Sequence, residues 1–548
     1  MKQDCTGYLF LNKLLDYKQL YIICFSHMKI LSEIIASFFS KFTVSVYLFI
    51  ITLNSIWASP ETSFNVKAYG AKGDGSTLDT NAINNTIKAA SQAGGGTVYF
   101  PAGTYLSYSI RLESHIAIYL DQGATIMGAT PSGEIGYDAP EPALNDKFQD
   151  FGHSHWHNSL IWGENLEDIS ILGPGIIHGK GLSRGGPYKA PIGNKAIALK
   201  LCRNVILKDF TILYGGHFGI LATGVDNLTI DNLKIDTNRD GIDIDCCKNV
   251  RISNCSVNSP WDDGICLKSS FALGYVRPTE NVTITNCSVS GFDRGTFYNG
   301  TYLRNEAHLV PDKEGPTGRI KFGTESNGGF KNITISNCVF EYCRGLALET
   351  VDGGLLEDVN ITNITMRDVI NSPIFLRLGS RMRAPDGTPV GALRRVNISN
   401  INVYNADSRF ATLISGVPNH PIEDIRLSNI SIWYRALDSL ETNIQQEVPE
   451  FEKAYPEPQK FGILPVYGFF IRHAKNIELH NVNLYLLSEE KRPAIMLTDI
   501  QNMKMRNLNL PENQKSGKLI LKDVNELSIK DSKPFKDLEI QKMTTKTY

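Results

Sequence analysis

Residues 237–270 read TNRDGIDIDCCKNVRISNCSVNSPWDDGICLKSS, and the segment NVRISNCSV within them, starting at Asn249, is one copy of a nine-residue pattern. The pattern is Asn or Asp, apolar, any, apolar, any, often Asn or Asp, any, any, apolar. It recurs as NVILKDFTI at Asn204, NLTIDNLKI at Asn227, NVTITNCSV at Asn281 and NITISNCVF at Asn332. Further copies start at Asp358, Arg395, Asp424, Asn476 and Asn502. Alternation with period two inside each copy argues for strands, and a repeat near 22 residues that lengthens only where loops intrude argues for stacked coils. A strand-built coil buries its apolar face only against its neighbours, so the expected fold is all-β, a right-handed parallel β-helix.

Stacked parallel strands lie about 4.8 Å apart, so residues one repeat apart in sequence become neighbours in space. Asp240 is therefore expected just beneath the pair Asp262 and Asp263. Adjacent strand residues face opposite ways, so the chain must bend for both members of the pair to reach one site, and Pro260 and Gly264 flank them suitably. Three carboxyl groups on one surface repel, which raises at least one pKa and leaves a protonated acid beside an ionised base. That combination suits glycosidic hydrolysis. Turn aspartates capping coils, or a calcium loop, account for the same spacing.

The chain has 548 residues, 42% hydrophobic and 20% charged, with a net charge of -2, which points to neither nucleic acid nor a membrane surface as partner. Residues 42–58, FTVSVYLFIITLNSIWA, follow Lys41 and end before Ser59 and Pro60. They read as a signal peptide, with Met28 as the natural start and an uncleaved anchor as the rival. Export, secreted or periplasmic, is the expectation. The layout is 1–59 extension and signal, 60–160 cap and first coils, 161–515 coil domain and 516–548 terminal coil or tail. FNVKAYGAKGDG reads as a short strand and a Gly-rich turn leading into an amphipathic helix near 79–93 that caps the first coil, followed by the strand TVYF before Pro101. Gly-Ala-Lys-Gly-Asp-Gly lacks the Lys-Ser/Thr of a phosphate loop.

Cys255, Cys287 and Cys338 share one repeat position and predict a buried thiol stack rather than disulfides, and no cysteine pairs have zinc-site spacing. Asn-x-Ser/Thr triplets at Asn227, Asn281, Asn332 and Asn429 fall at coil corners, where asparagine suits the left-handed backbone better than it signals a glycan. Arg319, Lys321, Arg377, Arg381 and Arg383 follow the long interruption 291–318, and arginine forks there suit the carboxylates of uronic acids.

With these motifs in order about one coil apart, the mature chain resembles the pectin-cleaving glycoside hydrolases of family 28, the polygalacturonase and rhamnogalacturonan hydrolase group. Asn238 to Asp243 is similar to the family's Asn-Thr-Asp-Gly-x-Asp motif, and Asp262 to Lys268 to its Asp-Asp-Cys-x-Ala-x-Lys motif. The resemblance implies inverting hydrolysis of α-linked galacturonosyl bonds in pectin, an acidic plant cell-wall polysaccharide. It implies Asp262 as general acid and Asp240 and Asp263 as the groups that hold and deprotonate water. No cofactor or metal is implied, and a monomer without a membrane span is expected. Arg239 and Lys268, inside the motifs, are candidate substrate contacts.

Two departures stand out. The family's Gly-His-Gly has no counterpart, Thr317 falling near the histidine's place, and its Arg-Ile-Lys falls where Ala347 and Glu349 stand. The subsite is therefore expected to be rebuilt, with Arg319, Lys321 or Arg377 supplying charge and His217 reaching in from the coil below. Glu349 opposite a galacturonate would favour a neutral sugar such as rhamnose. A β-eliminating lyase and a non-catalytic polysaccharide binder are the rival readings.

Overall fold

Each coil turns at a residue held in left-handed backbone. Asn204, Asn227, Asn249, Asn281 and Asn332 have φ between 54° and 58°, a region asparagine tolerates because its short side chain bonds locally. The side chains also bond to one another along the stack. The amide of Asn227 donates to Asn204 at 3.0 Å, Asn249 to Asn227 at 3.1 Å, Asn281 to Asn249 at 3.0 Å and Asn332 to Asn281 at 2.8 Å. Asn429 sits in a parallel ladder between Asn400 and Asn481. The sequon asparagines are thus structural corner residues.

The computed structural model describes residues 28, 31–38, 62–142, 144–150, 152–185, 189–309, 315–437, 443–512 and 517–548. The chain divides into Met1–Thr62 and Ser63–Tyr548. In the first unit residues 28 and 31–38 are helical, and the expected signal segment 42–58 lies outside the described residues. No helix among the described residues is long and apolar enough to cross a membrane.

The second unit is the right-handed parallel β-helix. A coil contributes three strands, as in Phe218–Thr223, Asp226–Asp231 and Lys234–Asp236, each paired in parallel with its counterpart one coil on. Inward positions form continuous apolar rows. One runs Val205, Leu228, Val250, Val282, Ile333, Val359, Val396, Ile425 and Ile477 in register. All are essentially sealed from solvent, each contributing about 1.5–3 kcal/mol at most. Cys255, Cys287 and Cys338 form the expected row of buried free thiols, and Cys202, Cys246, Cys247, Cys266 and Cys343 are also free and buried.

Both ends of the stack are covered. The helix Thr80–Gln92 buries Ile83, Ile87 and Ala90 with Phe64 and Val98 of the first coil. At the far end Leu538–Thr547 pairs antiparallel to the last parallel strand, Leu519–Lys530. A solenoid left with an open edge would recruit a second chain.

Candidate active site

One sheet of the solenoid carries the site on its outer face. Its outward row runs Ala198, Leu221, Asp243, Cys266, Lys321, Ala347, Phe375, Leu413 and Phe470. The row is apolar at both ends and polar or ionic in the middle. At one end Trp156 packs on Ala198 and Leu221, and at the other Phe461, Leu464 and Val466 pack on Ala347, Phe375 and Leu413. The two covering segments leave the polar stretch between them.

The acidic residues sit at the corners that lead into this sheet. Register Ile242 to Ile265 places Asp240 against Asp263 and Arg239 against Asp262, one coil apart. Glycines make the stacking possible, since a Cβ at Gly241 would lie 2.5 Å from the Gly264 carbonyl oxygen and 2.4 Å from Val257 Cγ1. The bend at the pair is fixed by the Asp263 amide donating to Asp262 Oδ1 at 3.1 Å and by the Gly318 amide donating to the Asp262 carbonyl at 2.8 Å. Asp240, Asp262 and Asp263 each place an oxygen within 4.8 Å of the others. Such closest-oxygen separations are shorter than the ~6.5–9.5 Å between carboxyl groups usual for inversion.

The three carboxyls differ in partners. Asp240 is 3% exposed, and its Oδ1 has no hydrogen-bond partner among the described residues. Burial, then the charges of Asp243 and Asp262, push its pKa well above the carboxylate range. The Asp262 side chain is 23% exposed and is gripped by Arg239, with Nε 2.9 Å from Oδ2. Burial opposes its ionisation, but Arg239, Lys268 and Lys321 outweigh burial and hold it well below the usual range. Asp263 accepts from Arg319 Nε at 2.9 Å and lies 3.4 Å from Lys321 Nζ. A proton donor and an ionised acceptor therefore stand together, with Asp240 rather than Asp262 keeping the proton in the free chain.

The basic candidates separate into two groups. Arg239 and His217 are at the site, 3.3 Å apart, and His217 Nδ1 is 2.9 Å from the Arg184 carbonyl oxygen. Burial, then Arg239, keeps that imidazole neutral, so Nδ1–H donates to the carbonyl. Lys268 lies beneath the corner, 3.7 Å from Asp243 and 3.4 Å from Glu325.

Arg319, Lys321 and Arg377 do not offer charge to a substrate as expected, because each is only 1% exposed and already engaged. Arg319 pairs with Asp263 and with Glu457, and Lys321 with Asp263 and Glu349. Arg377 Nη1 donates to Ser415 Oγ at 2.7 Å and its Nη2 to the Glu450 carbonyl at 2.8 Å. Glu349 likewise faces no sugar. It is sealed between Arg319 at 3.8 Å and Lys321 at 3.5 Å, and burial pushes its pKa to about 8 against the pull of both.

Several site residues carry no repeat signal. His153 lies 3.5 Å from Asp243, and Glu457 arrives from a long insertion to meet Arg319 and Arg344. Trp261, beside the Asp pair, is sandwiched by the Arg184 and Arg294 guanidiniums at 3.6 and 3.8 Å from its ring centre. Its position next to Asp262 was the one available clue. Among the described residues two clusters have donors close enough for a cation, the aspartates and Glu141, His157 and Glu164. In the second, Lys200 already holds Glu164 at 2.8 Å.

Comparison with known proteins agrees with this fold. Residues 63–134 match the family described as "Rhamnogalacturonase A/epimerase, pectate lyase-like", and residues 195–273 match "Right handed beta helix region". A "Probable polygalacturonase" of Vitis vinifera is 25% identical over 67% of this chain and 74% of its own length. "Plasmin and fibronectin-binding protein A" of Streptococcus pneumoniae is 36% identical, over 31% of this chain and 24% of its own. The solved family 28 exopolygalacturonase of Yersinia enterocolitica superposes with a TM-score of 0.58 at 18% identity, covering 81% of this chain and 78% of that one. In coil fold and in sequence this chain is glycoside hydrolase family 28-like, similar to the polygalacturonases.

Proposed function

We propose that the chain hydrolyses α-linked galacturonosyl bonds in a pectic polysaccharide at the corner where Asp240, Asp262 and Asp263 meet. The observation that carries this reading is the pairing of opposite protonation tendencies within 4.8 Å. Asp240, protonated, donates to the glycosidic oxygen. Asp262, ionised and the most accessible, takes a proton from the attacking water, and Asp263, oriented by Arg319 and Lys321, holds that water. This exchanges the roles that the resemblance implies for Asp240 and Asp262.

Removing an acid spares substrates with a good leaving group, whereas removing the base spares none. Asp240→Asn is expected to lose galacturonan cleavage while retaining an activated aryl galacturonide, and Asp262→Asn to lose both. The opposite pattern would restore the family's assignment, and full activity in both variants would remove the hydrolase reading.

β-Elimination with a basic residue as base needs that residue uncharged. Burial works against charge on Lys268 and Lys321, but their carboxylate neighbours outweigh it and keep both protonated. No ultraviolet-absorbing product is expected. A non-catalytic binder is the second reading, favoured by the ion pairs that already occupy Asp262 and Asp263. Polysaccharide retention without new reducing ends would select it.

A further inference from the structure

Beside the acidic corner two arginines stack on one tryptophan. Arg184 and Arg294 come from separate loops and meet on Trp261 at 3.6 and 3.8 Å from the ring centre. At such distances two guanidiniums must occupy opposite faces of the indole, and each gains from the ring's negative face. Trp261 is itself 7% exposed, and its Nε1 has no hydrogen-bond partner among the described residues.

Both arginines are anchored. The Asp236 carboxylate accepts from the Gly295 and Tyr298 amides at 3.0 and 2.9 Å, fixing the loop that carries Arg294. His217 holds the Arg184 carbonyl. Arg294 spends one donor on Glu306 at 3.1 Å, Arg239 is committed to Asp262, and Arg184 has no acidic partner among the described residues. Burial, then the charges of Arg294 and Arg239, lower the pKa of Arg184. An anion bound there would offset the repulsion and compensate the lost hydration.

We propose that Arg184 and Arg294, fixed on the two faces of Trp261, form a subsite for the carboxylate of an acidic sugar next to Asp262. The inference rests on the pectic reading above and supplies the carboxylate grip that Arg319, Lys321 and Arg377, all buried, do not provide.

The test compares galacturonate with galactose, which differ only in the carboxylate at C6 and offer no bond to cleave. Calorimetric titration of the full chain at low salt is expected to show at least tenfold tighter binding of galacturonate, a ratio typical of one charge-assisted contact pair. Arg184→Gln/Arg294→Gln is expected to abolish that preference, and Arg184→Lys/Arg294→Lys to retain part of it. Should the double variant fold poorly, Arg184→Gln alone, at an exposed position, serves the same comparison. Equal binding of the two sugars by the native chain, or a preference that survives the substitutions, overturns the proposal. Binding that depends on these arginines in a chain that never cleaves galacturonan would leave the subsite standing and remove the hydrolase reading.

Discussion

Replacing Arg239 with Gln tests how the acidic corner divides its protons. Arg239 is the largest of the groups that keep Asp262 ionised, and an opposite charge at such range lowers a carboxyl pKa by ~1–3 units. Because the Arg239 side chain is 30% exposed, solvent screening places the effect in the lower half of that range. Without Arg239, burial and the neighbouring aspartates act unopposed from that side, so the Asp262 pKa is expected to rise by ~1–2 units. The acid limb of the pH–rate profile on galacturonan moves up by the same amount. Carbon-13 spectra of aspartate-labelled chain, with Asp262→Asn to identify the resonance, read the pKa directly. The sign for stability follows. A depressed carboxyl contributes stability above its unfolded value of about 3.9 and loses it as pH falls through the folded value. The variant should therefore melt below the native chain at neutral pH, with the gap closing in acid. An Asp262 resonance that titrates at the same pH in both chains would refute the electrostatic account.

Asp240 gives the opposite sign. Its raised pKa means stability is fully present below the unfolded value and is lost as pH rises through the folded one, so Asp240→Asn is expected to melt higher than the native chain at pH 7 while losing turnover by ~10²–10⁴-fold. Gly241→Ala drives a methyl against the Gly264 carbonyl and is expected to cost about 1–3 kcal/mol or more, read as a lowered melting temperature. Asn249→Ala, in the middle of the corner ladder at φ 58°, loses two hydrogen bonds and a tolerant backbone residue, for about 1–2 kcal/mol. Proton NMR of the first-formed reducing end decides stereochemistry, since the tight aspartate grouping makes inversion a result to be measured rather than assumed from the usual ~6.5–9.5 Å gap.

The coil architecture and the meeting of Asp240 with Asp262 and Asp263 were legible in the sequence, because a period-two repeat of near-constant length converts sequence spacing directly into spatial register. The asparagine corners, the cysteine row and the capping helix follow from the same local rules. Charge placement does not. Arg319, Lys321 and Glu349 sit on the outer face as the repeat implies, yet the insertion bearing Glu457 and Tyr455 closes over them and turns expected substrate contacts into buried ion pairs. Arg184 and Arg294 lie in loops of no recurring length, and only the folded chain brings them to Trp261. Repeats report what touches one coil away, whereas loops that cross several coils decide which charges meet water, and burial then decides which carboxyl keeps its proton.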